Sequence, residues 1–599
     1  MGNLKSRSEV VVNETWDLTK VYLTDEKWYE NFEIVKNKLD NYDIYKDTMM
    51  DSAKDLYNLL KFDEEISREI TKLYVYASMK SDEDKGNNQY LKMSSEISTL
   101  NNEAIKKSVY ITPTLLKYDY TKIEEFYLEE PKLKEFSHIL KEIYRYKPYT
   151  LNEEMSKLIA SYSGALQTSS DIYDVLTNSD MKLGMITNED GEEVELTEGN
   201  YSLFIRSKNR NLRKQAFEML FNSYEQFKNT IAVAFAGNIE RAKAFAETHN
   251  YDSSLQAYLF SDNLPTDVYD TLINTVNSRM DVIKKYYNVK KEMLGLDEMH
   301  LYDIYVDIIE GVDKKYSFIE ARNMVEDALS IFGDDYSKNL KRAFTERWID
   351  IYPNKGKRSG AYSSGCYDTL PYVLLNYNGS LNDVSTLAHE LGHSMHSYYA
   401  RTSNPYETGD YCIFVAEIAS TVNELLLNRY LLEHTDDKQE KLQILAELME
   451  LFKGTIYRQT MFAEFEKRMH DMKRDGKSLT SDVIKEEYYK LNEKYFANEV
   501  ILDEEIKYEW ARIPHFYTPF YVFKYATGLS CACKIVTDIL SGDSKAKENY
   551  INFLKHGSKN HPVEHLKMVG IDILNGEYID SAINMFNEVI EEFKALCKK

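Results

Sequence analysis

The sequence predicts a mainly α-helical protein, and three of its features point to that class. Only 10 Pro and 23 Gly occur among 599 residues, so few residues interrupt helices. Lys, Glu and Leu, which favour helices, are abundant. Apolar residues in the first 180 positions recur at helical spacing, for example Ile66, Ile70, Leu73 and Ala77. We expect long helices packed through such stripes rather than a sandwich of short strands.

The composition excludes several classes of partner. The chain has 74 Lys and Arg against 98 Asp and Glu, a formal net charge of −24, which repels nucleic acid. The chain contains no apolar run as long as the roughly 18 residues that a membrane span needs. The N-terminal residues are not followed by the apolar run that a secretory signal requires. Its five cysteines are scattered and odd in number, as is typical of free thiols in a reducing compartment. We therefore expect a cytoplasmic protein that binds neither nucleic acid nor a membrane.

A short interruption of the helical pattern divides the chain near residue 200. Residues 183–187 and 192–197 have strand character on either side of the turn Asn188-Glu189-Asp190-Gly191, which predicts a hairpin. We place a domain boundary just after it. The predicted domains are an N-terminal helical region with this hairpin at 1–199 and a second, larger domain at 200–599.

A second interruption covers residues 349–381, which are rich in Gly and Ser. Residues 372–377 are apolar, β-branched and aromatic and end at Asn378-Gly379, so they predict a strand closed by a turn. A helix is expected directly afterwards, with Asn382 as its N-cap and its end near Ala400. The chain therefore predicts a small β element just before a helix.

This helix carries the pattern His389-Glu390-Leu391-Gly392-His393. Residues four apart share a helix face, so His389 and His393 can bind one metal ion. Glu390, beside the first histidine, can take a proton from a water molecule at that metal. The sequence therefore predicts a catalytic zinc site with two histidine ligands and Glu390 as the general base.

A zinc peptidase needs a third protein ligand and an open position for water. The metzincin pattern requires a His at position 399, but that residue is Tyr399. His396 shares the helix with both ligands, and a straight helix cannot aim three such side chains at one cation, so we assign it to packing or to support of the ligands. Glu417 is the better candidate, because it is flanked by apolar residues in the next helix and its burial would be costly without a cation. Glu424, two turns further on, is either a hydrogen-bond acceptor for a ligand histidine or an ordinary surface residue.

Several separated segments resemble oligoendopeptidase F of the thimet-oligopeptidase-like metallopeptidases. They are Tyr352-Pro353 and residues 356–362, 389–393 and 417–421, with support upstream from residues 169–183. The resemblance covers most of the chain and is densest from about 200 to 580. It implies a mostly helical, zinc-dependent endopeptidase with one Zn²⁺ per chain, whose two lobes enclose a deep channel that admits short peptides and excludes folded proteins. We expect peptide degradation by a monomer or a simple homo-oligomer.

The family also places a His and several Tyr from a late segment over the metal, here residues 513–526. The resemblance implies that the catalytic donors are His515, Tyr521 and Tyr517, and that Tyr525 binds substrate. These tyrosines recur every four residues, and on a helix their phenol groups would share a face suited to a peptide backbone and an oxyanion. Pro519 lies between Tyr517 and Tyr521 and makes that part of the segment irregular. With 48 Tyr in the chain, simple packing remains an alternative.

Substrate contacts are also expected near the β element. The strand that begins at Tyr372 is expected to pair with an extended peptide as an added strand. Gly360 and Gly365 are expected either to line the channel, to act as a hinge, or to be simple turn residues.

Other interpretations stay open. Residues 561–565 form the inverted zinc pattern H-x-x-E-H, but Pro562 fits the first position of a helix, which leaves His561 outside the regular turns. A helical zinc carboxypeptidase or aminopeptidase is the alternative enzyme, and an end-blocked peptide distinguishes it. A peptide-binding protein with an inactive site is the alternative without activity, and the intact Glu390 argues against it.

Overall fold

The computed structural model describes residues 4–311, 314–496 and 498–598. Helical segments account for 71% of the chain and strands are few, so the predicted mainly α class is confirmed. The chain forms two compact units. The first comprises Met1–Pro148, Lys314–Glu433 and Asp538–Val569, and the second comprises Tyr149–Asp313, His434–Thr537 and Gly570–Lys599. Each unit is assembled from separate stretches, so the boundary expected near residue 200 falls inside the second unit.

The first unit is built from helices around a small sheet. Its α-helices are Asp25–Lys38, Tyr42–Tyr45, Ala53–Glu83, Asn88–Ser108, Ile111–Leu116, Tyr120–Glu129, Ser137–Arg145, Phe318–Leu329, Asp334–Thr345, Leu381–Ser403, Ile413–His434, Ser544–Leu554 and Pro562–Lys567. Its strands are Ile349–Asp350, Tyr362–Ser364 and Tyr372–Leu374.

A hydrophobic core joins these helices to the sheet. Trp28 is fully enclosed and stacks on Phe32 with ring centroids 5.2 Å apart. The stripe predicted on the long helix Ala53–Glu83 is buried as expected. The same cluster includes Tyr372 and Leu374, so the core of the N-terminal helices also supports the sheet.

The sheet has three strands, and the one formed by Tyr372–Leu374 lies in the middle. We call it the inner strand. It pairs in parallel with Ile349–Asp350 on one side and antiparallel with Tyr362–Ser364 on the other. Both outer strands have one side without a strand partner among the described residues, and we call Tyr362–Ser364 the edge strand.

The second unit is also helical. Its α-helices are Glu153–Ser161, Ser163–Val175, Tyr201–Ile205, Arg210–Gln226, Lys228–Thr248, Ser254–Leu259, Asp267–Ser278, Met280–Met293, Lys438–Phe452, Gln459–Arg474, Ser481–Phe496, Phe523–Leu540 and Glu577–Lys598. The predicted hairpin is present as the antiparallel strands Met185–Thr187 and Glu193–Glu195. No helix within the described ranges is long and apolar enough to cross a membrane.

Candidate metal centre

The helix Leu381–Ser403, which we call the histidine helix, begins one residue before the expected N-cap Asn382. Ser380 is the N-cap, and its hydroxyl oxygen accepts a hydrogen bond from the Asp383 backbone N–H. The Asp383 carboxylate in turn accepts from the Ser380 backbone N–H at 2.9 Å, which completes a capping box. The assignment of Asn382 as N-cap was therefore wrong, because the serine two residues earlier forms the reciprocal pair.

The three predicted ligands converge in the first unit. The Nε2 atoms of His389 and His393 are 3.1 Å apart, and Oε2 of Glu417 lies 3.4 Å from each of them. Ligand atoms about 2.1 Å from a tetrahedral zinc ion lie roughly 3.4 Å from one another. The geometry and the two-imidazole, one-carboxylate donor set therefore fit a Zn²⁺ site.

Glu417 differs from its expected environment. It lies on the helix Ile413–His434, which we call the glutamate helix, and its neighbours Val415 and Ile418 are buried. Its side chain is nevertheless 56% exposed. Glu417 was selected because a buried carboxylate would need a cation, and that reason was therefore wrong. Hydrogen bonds from His389 and His393 hold the pKa of this carboxyl far below its usual range. The carboxylate of Glu417 is accessible to solvent.

The histidine and glutamate helices meet backbone to backbone at Gly392. A Cβ at this position would lie 2.5 Å from Cα of Ser420 and 2.6 Å from the carbonyl oxygen of Ala419. The buried amide of Asn423 also donates to the carbonyl oxygen of Ala388 at 3.0 Å. These contacts set the distance between the ligand-bearing helices. Sequence reasoning missed both residues, although a glycine inside a helix is a usable signal of close packing.

A second carboxylate orients the first ligand. Nδ1 of His389 hydrogen-bonds to Oε1 of Glu424, which leaves Nε2 directed toward the other ligands. Burial lowers the pKa of His389, but hydrogen bonds to Glu417 and Glu424 outweigh it and raise the pKa to about 10. The two carboxylates thus create a strongly anionic environment that favours a cation.

Glu390 lies next to the ligands and is buried, with 7% of its surface exposed. Burial raises its pKa, while the charges of His389 and His393 oppose the rise. The backbone amide of Ser363, in the edge strand, also opposes the rise in the pKa of Glu390. The hydroxyls of Ser363 and Ser394 are 2.8 Å apart, so the edge strand packs directly on the histidine helix.

The other histidines near the motif do not join the ligands. His396 is buried and stacks on Tyr411, with ring centroids 3.6 Å apart, and both of its ring nitrogens lack a hydrogen-bond partner within the described part of the chain. Nε2 of His565 contacts the carbonyl oxygen of Phe553, and Nε2 of His561 pairs with Glu142. The geometry therefore supports the packing interpretation of His396 and leaves the H-x-x-E-H pattern without a shared metal position.

The substrate contacts expected near the sheet need one correction. The inner strand is paired on both sides, and Tyr372 is buried with its hydroxyl donating to the carbonyl oxygen of Asp17. A peptide cannot add beside Tyr372, and that expectation was wrong. The edge strand, like the other outer strand, has one side without a strand partner among the described residues. Gly360 has a φ of 80°, and a Cβ there would meet no atom within 4 Å among the described residues.

The late segment lies in the second unit and forms its own cluster. His515 is on the 3₁₀-helix Pro514–Tyr517, and Tyr525 is on the helix Phe523–Leu540. Their Nε2 and hydroxyl atoms are 3.4 Å apart, and the Tyr521 and Tyr525 rings pack edge to face at 5.5 Å. Tyr517 instead stacks on Tyr173 at 4.2 Å, and its hydroxyl is enclosed without a partner within the described ranges.

Comparisons with known proteins agree with this architecture. The family described as Peptidase family M3 matches residues 203–585, and the one described as Oligopeptidase F matches residues 115–182. Oligopeptidase PepF of Bacillus subtilis is 40% identical over 598 residues, which cover 100% of this chain and 89% of the relative. Group B oligopeptidase PepB of Streptococcus agalactiae is 38% identical over 594 residues, which cover 99% of each chain.

Solved structures extend the similarity to the whole fold. The crystal structure of oligoendopeptidase-F from Enterococcus faecium has a TM-score of 0.74 and 32% identity, covering 96% of this chain and 99% of its own. A crystal structure from Chlamydophila abortus, described as that of a peptidase, has a TM-score of 0.94 and 35% identity over 99% of this chain and 100% of its own. The chain therefore belongs to peptidase family M3 and is an oligoendopeptidase F-like metalloendopeptidase.

Proposed function

We propose that the chain is a zinc-dependent endopeptidase that hydrolyses internal bonds of short oligopeptides with Glu390 as general base. The observation that carries the proposal is the convergence of the His389, His393 and Glu417 ligand atoms beside a buried Glu390. One Zn²⁺ per chain is expected at this position. Bound there, it would polarise the scissile carbonyl and increase the acidity of a water molecule.

Glu390 supplies the proton transfers. Its burial raises its pKa, so it accepts a proton more readily than an exposed carboxylate does. In the proposed reaction Glu390 removes a proton from the attacking water and then delivers it to the leaving amine.

The edge strand is the proposed docking position for the substrate backbone. One side of it has no strand partner among the described residues, and the hydroxyl of its Ser363 lies 2.8 Å from that of Ser394 on the histidine helix. A peptide that adds here as an extended strand would run past the base, with main-chain hydrogen bonds giving affinity for many sequences. Gly360 lies just before this strand, where the open space at its Cα suits a nearby peptide.

His515 and Tyr521 are the proposed donors to the developing oxyanion, and Tyr525 is a proposed substrate contact. The clustering of these three side chains and the family resemblance support this assignment. Tyr517 could donate only after leaving its stack on Tyr173, so we rank Tyr521 before it. Removal of a single oxyanion donor costs about 10²–10³-fold in kcat, so Tyr521→Phe is expected to lose activity with zinc retained.

Short peptides are the proposed substrates, because the two relatives compared above are named oligopeptidases. None of the five cysteines, all of which lie within the described ranges, forms a disulfide, which supports a reducing, cytoplasmic location.

The test is hydrolysis of a short internally quenched peptide blocked at both ends, with zinc content measured on the same sample. We expect internal cleavage that a chelator abolishes and added Zn²⁺ restores. Cleavage only of peptides with a free terminus would indicate an exopeptidase. Bound zinc without hydrolysis of any peptide would indicate a binding protein.

A further inference from the structure

We propose that Glu466 is a positioning residue that holds the backbone turn between His515 and Tyr521. This inference rests on the proposed roles of those two side chains. Glu466 lies on the helix Gln459–Arg474, has 1% of its surface exposed, and belongs to the second unit, as does the whole late segment. Its Oε1 accepts a hydrogen bond from the Phe520 backbone N–H at 2.7 Å.

Phe520 has an unusual backbone conformation. Its φ is 56°, in the left-handed region that bulky residues rarely adopt, and it follows Pro519. A proline followed by a residue with positive φ is the arrangement of a type II turn, in which Gly or Asn normally takes the second place. A phenylalanine in this position persists only if its surroundings fix it.

The surroundings of Phe520 supply that constraint. Its ring packs against His470, one turn after Glu466, with centroids 4.5 Å apart, and edge to face against Tyr269 at 5.6 Å. The Tyr269 hydroxyl lies 3.3 Å from Oε2 of Glu466 and 3.1 Å from the carbonyl oxygen of Ala463. The backbone amide and the ring are thus held by one helix and one neighbouring tyrosine.

The turn has a direct consequence for the late segment. It joins the 3₁₀-helix that carries His515 to the helix that carries Tyr525, and Tyr521 is the next residue after Phe520. If Phe520 left the positive-φ conformation, the chain on its two sides would diverge, and the ring spacings within the cluster would change. Glu466 therefore acts through the Phe520 amide on the placement of Tyr521.

The hydrogen-bond pattern predicts which substitution preserves the function. A protonated Glu466 can accept from Phe520 at one oxygen and donate to Tyr269 at the other, while Tyr269 donates to Ala463. Glutamine reproduces this pattern with the same shape. Methionine fills a similar volume without an acceptor, and aspartate keeps the carboxylate but withdraws it from the amide.

The experiment compares E466M, E466D and E466Q, with 3-fluorotyrosine placed at position 521 for ¹⁹F NMR. We expect the wild-type resonance in E466Q and a shifted or split resonance in E466M and E466D, with bound zinc unchanged because its ligands lie in the first unit. E466M is expected to lower kcat about tenfold with KM within about twofold, and E466Q to stay within about twofold of wild type. In the Y521F background, adding E466M should lower kcat by less than about a further twofold, because Glu466 acts through the placement of Tyr521.

An unchanged resonance in both E466M and E466D would overturn the positioning role, and either variant suffices if the other does not fold. Equal losses of kcat in E466Q and E466M would overturn it as well. So would a double variant E466M/Y521F whose loss of kcat equals the product of the two single losses. A perturbed resonance with unchanged kcat in both E466M and Y521F would support the positioning role and refute the donor role of Tyr521.

Discussion

Gly392→Ala should separate the two helices that carry the metal ligands. Atoms of Ser420 and Ala419 would lie 2.5–2.8 Å from the added Cβ, whereas ordinary contacts fall at 3.4–4 Å. These atoms are Cα and N of Ser420 and the carbonyl oxygen of Ala419. All three belong to the backbone, so no side-chain rotation can relieve the clash. The helices must move apart by roughly 1 Å, which exceeds the tolerance of about 0.2 Å on metal–ligand distances.

The expected result is loss of the zinc site with retention of the fold. Loss of a hydrogen bond to a ligand typically weakens metal binding by about 10–100-fold, and displacement of Glu417 itself should cost more than that. We expect zinc affinity, measured by competition with a chromogenic chelator, to fall more than about 100-fold. Circular dichroism should report nearly unchanged helix content, and peptide hydrolysis should fall with zinc occupancy.

Gly164→Ala is the matched control for this experiment. Gly164 is the second residue of the helix Ser163–Val175, and a Cβ there meets no atom within 4 Å among the described residues. This variant should therefore bind zinc like wild type, and the substitution should stabilise the helix by up to about 1 kcal/mol. Wild-type zinc affinity in Gly392→Ala would refute the claim that this contact sets the ligand spacing.

Three other predictions follow from the contacts of single side chains. Glu424→Ala removes the partner of His389 Nδ1 and should weaken zinc binding by about 10–100-fold in the same chelator assay, and unchanged affinity would contradict the orienting role. Burial raises the pKa of Glu466 to about 8, above its value of about 4.3 in an unfolded chain, so the native state binds this proton more tightly. The free energy of unfolding of wild type should therefore fall as the pH rises from about 4.3 through 8. E466Q lacks this titration, so its thermal unfolding temperature should rise relative to that of wild type between about pH 6 and pH 9. An equal pH dependence in both proteins would contradict this. His561→Ala removes a partner of Glu142, not a metal ligand, and should leave zinc at one ion per chain by mass spectrometry, whereas a loss of zinc would restore the H-x-x-E-H alternative.

Local patterns in the sequence predicted the ligands because helix geometry alone brings residues four apart together. The histidine pair needed only that rule, and the hairpin at 183–197 needed only turn chemistry. Glu417 does converge with the two histidines, although the reason given for choosing it was incorrect. Its helix is apolar because it packs against the histidine helix at Gly392, while the carboxylate itself is exposed.

The remaining features depend on contacts between residues far apart in the chain. The edge and inner strands could not be told apart, because the third strand, Ile349–Asp350, is too short to recognise from sequence. The pair Glu466 and Phe520 was missed for a related reason, since 54 positions separate the carboxylate from the amide that it holds. Each of the two units also combines stretches that are far apart in the chain, and the division between the units does not fall at the boundary expected near residue 200.

The most direct test of the central claim compares wild type with Glu390→Gln. Both proteins are assayed with an end-blocked, internally quenched peptide, and zinc is quantified on the same samples. Because the glutamine amide cannot accept the proton, kcat should fall by about 10²–10⁴-fold while zinc remains at one ion per chain. Substantial activity in the variant with full zinc occupancy would contradict the assignment of Glu390 as the general base.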